Sequence, residues 1–287
     1  MTSDLSRRRF LKEGAALAAA VAAMQSSAAT AAEPSVLPKI KLGTLEVSRL
    51  ILGSNPFWGY AHQPGDVGRQ MTEFYTDQRI GEVLDQAAEL GVTTVACPPD
   101  RRWIDLYKRY LDRGGKMRIW IAQAHGSPEK IPEEITRAVK AGAQAVFIQG
   151  HRAEDAFAQG KADVVRGWIE HIKSHNVPAG MAAHRPDVHL AAEKAGFPTD
   201  FYYQSFFIPD TYRPEDRQKA VETIGQLAKP VIGYKILAAG RLKPEEAFRF
   251  AFEHLKPKDG VCVGIFPKNK PDMLAEDTRL ARSLSAG

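Results

Sequence analysis

The chain has 287 residues, 44% of them hydrophobic and 25% charged, and its formal net charge at pH 7 is +5. This weak positive balance does not predict a nucleic-acid-binding protein, because no cluster of Lys and Arg alternates with aromatic residues as a strand-binding groove requires. The two cysteines, Cys97 and Cys262, have no zinc-site spacing, and Cys262 lies inside a predicted strand, so a structural disulfide is not expected.

The first 32 residues resemble a twin-arginine export signal. Consecutive arginines between Ser6 and Lys12 precede an apolar, alanine-rich run, and Ala29-Thr30-Ala31 offers a small-x-small cleavage site. The apolar run is too short for a dependable membrane span. The resemblance implies that the precursor interacts with the twin-arginine export machinery and that the mature chain is periplasmic or extracellular, with no stable membrane span. The alternative is a basic tail before an amphipathic helix.

From residue 38 onward the sequence alternates between apolar runs and helical patterns. KIKLGTLEV predicts a hairpin that turns at Gly43-Thr44, and eight strand–helix units follow it. This alternation is typical of a parallel sheet covered by helices, and eight units predict a single (β/α)8 TIM barrel over residues 38–287, with the hairpin as a plug. A doubly wound sheet is the rival fold, but no Gly-x-Gly-x-x-Gly motif follows any strand. The predicted strands are 49–54, 92–96, 118–123, 145–149, 179–183, 201–205, 231–236 and 261–266.

Capping residues and apolar periodicity predict where the helices begin. Thr76 is a candidate N-cap before an apolar face that starts at Ile80. Ser127-Pro128 supplies a cap and a first-turn proline, and Pro244 is predicted to open a later helix.

Polar residues at the ends of the predicted strands are the strongest functional signal in the chain. In a TIM barrel the ligand site lies on the loops at the carboxyl ends of the strands. We therefore expect a small-molecule site there, although loop ends are polar by default and an ordinary surface is the alternative. The substrate-binding candidates are Asn55, Trp58, Gln123, His125, Gln204, Tyr234 and Arg241.

Several segments of the barrel resemble the aldo/keto reductases, an NADP-dependent oxidoreductase superfamily. LGTLEVSRLILGS looks like the opening of that family, and AVFIQGHRAED matches its fourth strand, which ends in a catalytic histidine, here His151. YYQSFF resembles the sixth strand, and GYKILAAGRL resembles the seventh, with Lys235 at a serine position. GIFPKNKPDMLAED resembles the eighth strand and the helix that holds the cofactor's phosphate end, which implies NADP(H) with Lys268 near a phosphate.

The second and third strands depart from that family's catalytic pattern. Ala96 stands where the family has an aspartate, Arg101 where it has a tyrosine, and Gln123 where it has a lysine. Of the four catalytic groups implied by the resemblance, only His151 remains, so the standard carbonyl reduction mechanism is not predicted. The cofactor is left open, with NADP(H) or a divalent metal ion as the two possibilities.

Lys235 lies inside the apolar run that starts at Val231, where a charge is costly to bury without a partner. Its stem can line the barrel while the ammonium group reaches the polar mouth. Alternatively, Lys235 is a cation of the site that acts as a base or an electrostatic group. We expect His151, His184 and Lys235 to carry out acid/base chemistry on a small carbonyl or carbohydrate compound, with aromatic residues such as Trp58 stacking on a sugar ring.

Two other classes of function stay open at this point. His125, His151 and His184 end three consecutive strands and could together bind a divalent metal ion in a hydrolase, lyase or isomerase, although no carboxylate joins them on those strands and no HxH or HExxH spacing is present. The other class is a non-catalytic ligand-binding protein, which the loss of catalytic residues allows. Cys97 is expected to be a plain buried thiol.

Overall fold

Eight parallel strands form a closed barrel, as predicted. The computed structural model describes residues 36–209 and 211–285, and the predicted export signal in residues 1–32 lies outside them. The barrel closes in the order β10-β3-β4-β5-β6-β7-β8-β9. Its strands are β3 (Leu50–Gly53), β4 (Thr94–Cys97), β5 (Ile119–Ala124), β6 (Ala145–Ile148), β7 (Ala179–Ala183), β8 (Phe201–Ser205), β9 (Val231–Tyr234) and β10 (Gly260–Gly264).

An antiparallel hairpin precedes the barrel and covers its amino-terminal end. It consists of β1 (Lys39–Leu42) and β2 (Leu45–Ser48), with Gly43 in the turn at a φ of 59° that favours glycine. Apolar side chains of the hairpin, such as Ile40 and Val47, are buried in one cluster with inward-facing residues of the barrel strands. The predicted plug is therefore present.

Ten α-helices in the described ranges surround the barrel. Thr76 caps the second of them, since its side-chain oxygen accepts a hydrogen bond from the Arg79 amide. The fourth helix begins at Ile131 rather than at Ser127-Pro128, because residues 127–130 form a turn in which the Lys130 amide bonds to the Ser127 carbonyl. The helices are α1 (Val67–Phe74), α2 (Asp77–Glu89), α3 (Arg101–Asp112), α4 (Ile131–Lys140), α5 (Gly150–Ala158), α6 (Ala162–Ser174), α7 (Pro186–Lys194), α8 (Pro214–Gln226), α9 (Pro244–His254) and α10 (Met273–Leu284).

The buried apolar residues form a larger cluster between strands and helices and a smaller one inside the barrel. The inner cluster is closed toward the carboxyl ends by Phe147 and Tyr203, whose rings stack 4.2 Å apart. The interior is thus packed with side chains and is not an open pore, which is the usual condition of an eight-stranded barrel.

The prediction that β9 continues through Lys235 was wrong. The strand ends at Tyr234, and Lys235 has a φ of 57°, a left-handed conformation that cannot continue a strand. An apolar sequence run alone does not reveal such a turn. No helix within the described ranges is both long and apolar enough to cross a membrane.

Candidate active site

A cavity of about 740 Å³ opens at the carboxyl ends of the strands. This volume falls within the range of small-molecule sites. Of the predicted site residues, Asn55, Gln123, Tyr234 and Lys235 contribute to its wall. The described wall does not include Trp58, His125, His151, His184, Gln204, Arg241 or Lys268.

The segment after β9 brings Lys235 into the cavity wall in an unusual backbone conformation. Lys235, Ala238 and Ala239 all have φ between 48° and 57°, although none of them is glycine. Each such residue costs on the order of 1 kcal/mol, and such conformations persist only where the surrounding structure holds them. Ile236, Leu237 and Ala239 also line the cavity, so the strained segment forms part of the site.

Arg241 holds this segment in place instead of lining the cavity. Its guanidinium donates hydrogen bonds to the carbonyls of His62 and Ala238 and lies 4.1 Å from the centre of the Tyr212 ring. Gln63 donates to the Ala239 carbonyl from the same side. Arg241 was predicted to bind substrate, and the structure gives it the role of connecting the loop after β3 to the loop after β9.

Close to Lys235, two residues of α5 and one that follows β7 form a group that we call the His184 cluster: His151, Glu154 and His184. His184 Nδ1 lies 3.1 Å from Glu154 Oε2, and the rings of His151 and His184 are 4.6 Å apart. Glu154 Oε1 accepts hydrogen bonds from the backbone amides of His184, at 2.5 Å, and Arg185, at 2.7 Å. The carboxylate is therefore fixed by its own hydrogen bonds and in turn fixes the imidazole.

The electrostatics of the cluster favour a neutral imidazole beside an ionised carboxylate. Burial is the largest effect and lowers the pKa of His184, the hydrogen bond and charge of Glu154 raise it, and the charges of His151 and Lys235 lower it again, so that the pKa is lowered overall. Burial alone would raise the pKa of Glu154, but the hydrogen bonds and charge of His184 and the two backbone amides outweigh it and lower that pKa. With Glu154 ionised, Nδ1–H of His184 donates, which leaves Nε2 as a proton acceptor.

Of two further predicted residues, Gln204 contacts this cluster and Trp58 does not. Gln204 is fully buried, and its amide donates to the carbonyls of Ser205, at 2.8 Å, and His184, at 3.4 Å. Trp58 is half-buried, with the guanidinium of Arg102 5.0 Å from its ring centre. Both residues therefore have neighbours within the protein, although Gln204 Oε1 and Trp58 Nε1 have no hydrogen-bond partner among the described residues.

His125 does not join the other two histidines. Its Nε2 lies 3.2 Å from Asp100 Oδ1, and this hydrogen bond raises the pKa of His125 despite partial burial. The residues that are close enough together to hold a metal ion include Glu154 in its place: one possible ligand atom each from His151, Glu154 and His184 lie within 4.8 Å of one another. Two histidines and one carboxylate are a ligand set found in catalytic zinc sites.

The far wall of the cavity is formed by the start of α10 and the loop before it. We call Asn269, Lys270, Glu276 and Asp277 the Asp277 end, since all four line the cavity there. Lys270 Nζ lies 2.5 Å from Glu276 Oε2, and Asp277 is 1% exposed. Burial raises the pKa of Asp277 to about 7, with a contribution from Glu276 that Lys270 partly offsets.

These residues do not fit the phosphate end of NADP(H). Lys268, which the resemblance placed near a phosphate, lies 3.3 Å from the Gln70 side-chain oxygen and is not part of the described cavity wall. The lysine that does line the wall, Lys270, is neutralised by Glu276, and Asp277 adds a second carboxyl group. A phosphate at this place would face two carboxyl groups and one paired cation, which disfavours it electrostatically.

Neither cysteine is a candidate nucleophile. Cys97 is fully buried, as predicted, and burial raises its pKa. Cys262 lines the cavity, but burial raises its pKa to about 12, so that the thiolate is scarce near neutral pH.

Comparison with known proteins shows the fold. No protein-family model and no curated protein sequence matches the chain. A proposed aldo-keto reductase from Pseudomonas aeruginosa has 16% sequence identity and a TM-score of 0.64, with 89% of this chain and 99% of that one covered. A truncated 3-deoxy-D-arabino-heptulosonate 7-phosphate synthase from Thermotoga maritima has 14% identity, a TM-score of 0.50 and 88% coverage of each chain. A proposed deoxyribose-phosphate aldolase from Coccidioides immitis has 13% identity and a TM-score of 0.50, covering 70% of this chain and 79% of its own. At these identities the matches establish a shared barrel fold.

Sequence reasoning missed Glu154 and Asp277. Glu154 follows His151 by three residues on α5, so an i, i+3 spacing on one helix face was the available signal. The prediction searched only the strand ends for a carboxylate and therefore overlooked it. Asp277 sits in an ordinary amphipathic helix pattern, and only the structure shows that its carboxyl group is buried at a cavity.

Proposed function

We propose that the chain is an enzyme that acts on a small carbonyl or carbohydrate compound by acid/base chemistry at the carboxyl end of the barrel. The observation that carries this proposal is the His184–Glu154 hydrogen bond close to Lys235, which lines the cavity. His184 is not part of the described wall, but its ring lies 5.7 Å from that of Tyr234, which is. A neutral base held by a carboxylate and an adjacent cation are the two groups that proton abstraction next to a carbonyl requires.

In the proposed reaction His184 Nε2 removes a proton from the carbon next to the substrate carbonyl, and the bonding electrons move onto the carbonyl oxygen. Lys235 stabilises the negative charge that develops on that oxygen, as fixed cations do in other active sites. Glu154 positions the imidazole and stabilises the imidazolium that forms. Return of the proton to the former carbonyl carbon, with the proton of the neighbouring hydroxyl group moving to the former carbonyl oxygen, completes an isomerisation. Alternatively, the enolate re-forms the carbonyl and expels a β-hydroxyl group as water, with the proton supplied by the imidazolium, which completes an elimination.

The cavity wall supports a polyhydroxylated substrate. Tyr60, Phe147, Tyr234 and Phe266 contribute aromatic surface, and Asn55 and Gln123 contribute amide groups. Apolar ring faces with a few interspersed hydrogen-bonding groups are suited to sugars. The predicted contribution of Trp58 to this wall is replaced by that of Tyr60.

The test is solvent hydrogen exchange in D₂O, followed by proton NMR on a panel of small aldoses, ketoses and hydroxyketones. We expect the protein to exchange the proton next to the carbonyl of at least one compound. His184→Gln and Lys235→Met are each expected to slow exchange by about 100-fold or more, in line with the loss of a general base or of an electrostatic contact. Equal exchange rates in wild type and both variants, or no exchange with any compound, would contradict the proposal.

His171→Gln is the matched control for His184→Gln. His171 makes its contacts with Thr136 and His175 on the outer helices, so its replacement is expected to leave exchange unchanged.

A metal-dependent hydrolase, lyase or isomerase is the second candidate, favoured by the clustering of His151, Glu154 and His184. Titration with Co²⁺ and visible absorption separates the two candidates, because a tetrahedral site gives intense bands. The metal candidate requires one equivalent of Co²⁺ whose bands disappear in His151→Ala and persist in His125→Ala. The titration is performed in a His171→Gln background, since His171 and His175 form a second histidine pair.

The same proposal includes export to the periplasm or beyond, which rests on the arginine pair and the apolar run in residues 1–32. Cell fractionation of the full chain tests it. Replacement of Arg7 and Arg8 by lysine is expected to retain the protein inside the cell, and unchanged export would argue against the twin-arginine route.

A further inference from the structure

Asp277 is the only buried acidic residue in the described ranges whose two carboxyl oxygens both lack a hydrogen-bond partner. The residue is 1% exposed. A buried carboxyl group without hydrogen bonds lowers stability by a few kcal/mol. Such a cost points to a partner that the protein chain itself does not supply.

The surroundings of Asp277 restrict what that partner can be. The other members of the Asp277 end are an ion pair, Lys270 with Glu276, and the neutral amide of Asn269. Together they offer carbonyl and carboxyl oxygens as acceptors, while the cation is already neutralised. An anionic group would be repelled, whereas hydroxyl groups can donate to the carboxyl and exchange hydrogen bonds with the amide.

Access to the carboxyl group involves an adaptable part of the wall. Met273 precedes Asp277 by one helical turn, so both side chains lie on one face of α10, and Met273 also lines the cavity. An unbranched methionine side chain changes rotamer readily, here with loss of the weak hydrogen bond that Met273 Sδ accepts from the Phe266 amide. A ligand that displaces it would reach the two carboxylate oxygens, each of which is otherwise covered by protein.

We propose that the Asp277 end binds an uncharged, hydroxyl-bearing part of the ligand, such as a vicinal diol, through hydrogen bonds to Asp277, and that it discriminates against phosphorylated ligands. This inference deepens the proposed function, since it rests on that function for the expectation of a carbohydrate. It assigns a binding residue far along the chain from the His184 cluster. It also predicts that a phosphate group binds poorly at the Asp277 end.

Isothermal titration calorimetry on the full chain tests the proposal with three probes: D-glucose, D-glucose 6-phosphate and adenosine. The first and third carry uncharged vicinal diols from two different sources, a free sugar and a nucleoside. We expect at least one of them to bind, and D-glucose 6-phosphate to bind about tenfold more weakly than D-glucose or not at all. Tighter binding of the phosphate ester, or no binding of either neutral probe, would overturn the proposal.

Substitutions connect the binding to Asp277. Asp277→Leu removes the carboxyl group at similar volume and is expected to weaken binding of the neutral probe about tenfold, the effect of losing one or two hydrogen bonds. Asp277→Asn retains an acceptor and a donor and is expected to restore most of the affinity. The control is Asp272→Asn, an exposed residue five positions earlier that is not part of the described cavity wall. Unchanged affinity in Asp277→Leu would overturn the assignment.

Binding and exchange are measured separately, so the two proposals fail separately. Binding that depends on Asp277 without any exchange in D₂O contradicts the catalytic proposal and leaves this one intact. Exchange that depends on His184, together with binding that does not depend on Asp277, contradicts the assignment of Asp277 and leaves the catalytic proposal intact.

Discussion

The His184 cluster and the Asp277 end are both built around a carboxyl group with little exposure, and they treat it in opposite ways. Glu154 accepts hydrogen bonds from one imidazole and two backbone amides, and its pKa is lowered. Asp277 has no such bonds among the described residues, and burial raises its pKa to about 7. The first carboxylate is complete without a ligand and serves to hold another side chain. The second is incomplete without one.

Removal of Glu154 is expected to have the largest effect on stability. Glu154→Ala leaves the amides of His184 and Arg185 without their acceptor and frees the His184 ring. We expect the free energy of unfolding to fall by about 3 kcal/mol, measured by urea denaturation, because the part-buried amide and imidazole of His184 both lose their acceptor and each unsatisfied donor costs about 1–3 kcal/mol. The exposed Glu133→Ala on the neighbouring α4 serves as control. A loss no larger than that of the control would remove the contrast between the two carboxyl groups.

Replacement of Asp277 is expected to act on stability in the opposite direction and to depend on pH. The folded state keeps a proton on Asp277 up to about pH 7, whereas the unfolded chain releases it near pH 4, so wild-type stability falls as pH rises between these values. Asp277→Asn has no proton to lose. The gap in unfolding free energy, variant minus wild type, is expected to widen by on the order of 3 kcal/mol from pH 4 to pH 8.

Urea denaturation at a series of pH values measures this gap. The charged neighbours, Glu276 and Lys270, stay in place in both proteins, so their own titration cancels in the comparison. A gap that is constant with pH would show that Asp277 is ionised normally in the folded protein.

The smallest expected effect on stability is that of replacing Lys235, whose backbone is strained. Lys235→Gly relieves the strain of the left-handed conformation at φ 57° and is expected to raise the free energy of unfolding by up to about 1 kcal/mol. Exchange of the substrate proton with D₂O is expected to be lost, because the ammonium group is removed. Lys219→Gly, in the middle of α8, is the control with the opposite sign, since glycine in a helix destabilises by about 1 kcal/mol. Differential scanning calorimetry and the D₂O assay give the two readouts.

The fold could be predicted from the sequence because its signals are local and repeated. Eight apolar runs, the cap at Thr76 and the Gly43 turn each specify their own element, and consecutive units then specify the barrel. The cavity wall was predicted only in part. Asn55, Gln123, Tyr234 and Lys235 follow from their positions at strand ends, whereas Arg241 and Gln204 make contacts with backbone carbonyls that no sequence pattern encodes.

The two carboxyl groups of the comparison could not be identified from composition or periodicity. Both lie on helices, Glu154 on α5 and Asp277 on α10. At both positions the sequence pattern predicts an acidic residue on a solvent-exposed helix face. Their burial depends on how each helix packs against the strands before it. That packing is a tertiary property, and local sequence patterns do not encode it.

The β1–β2 hairpin determines by which end of the barrel a ligand can enter and leave. Because its apolar side chains are packed into the amino-terminal end of the barrel, the barrel resembles a cup with a sealed base. Any ligand must then enter and leave by the same opening, and in the proposed reaction a product that leaves slowly blocks the next substrate. An enzyme of this shape is expected to show product inhibition that is competitive with substrate, whatever reaction takes place inside.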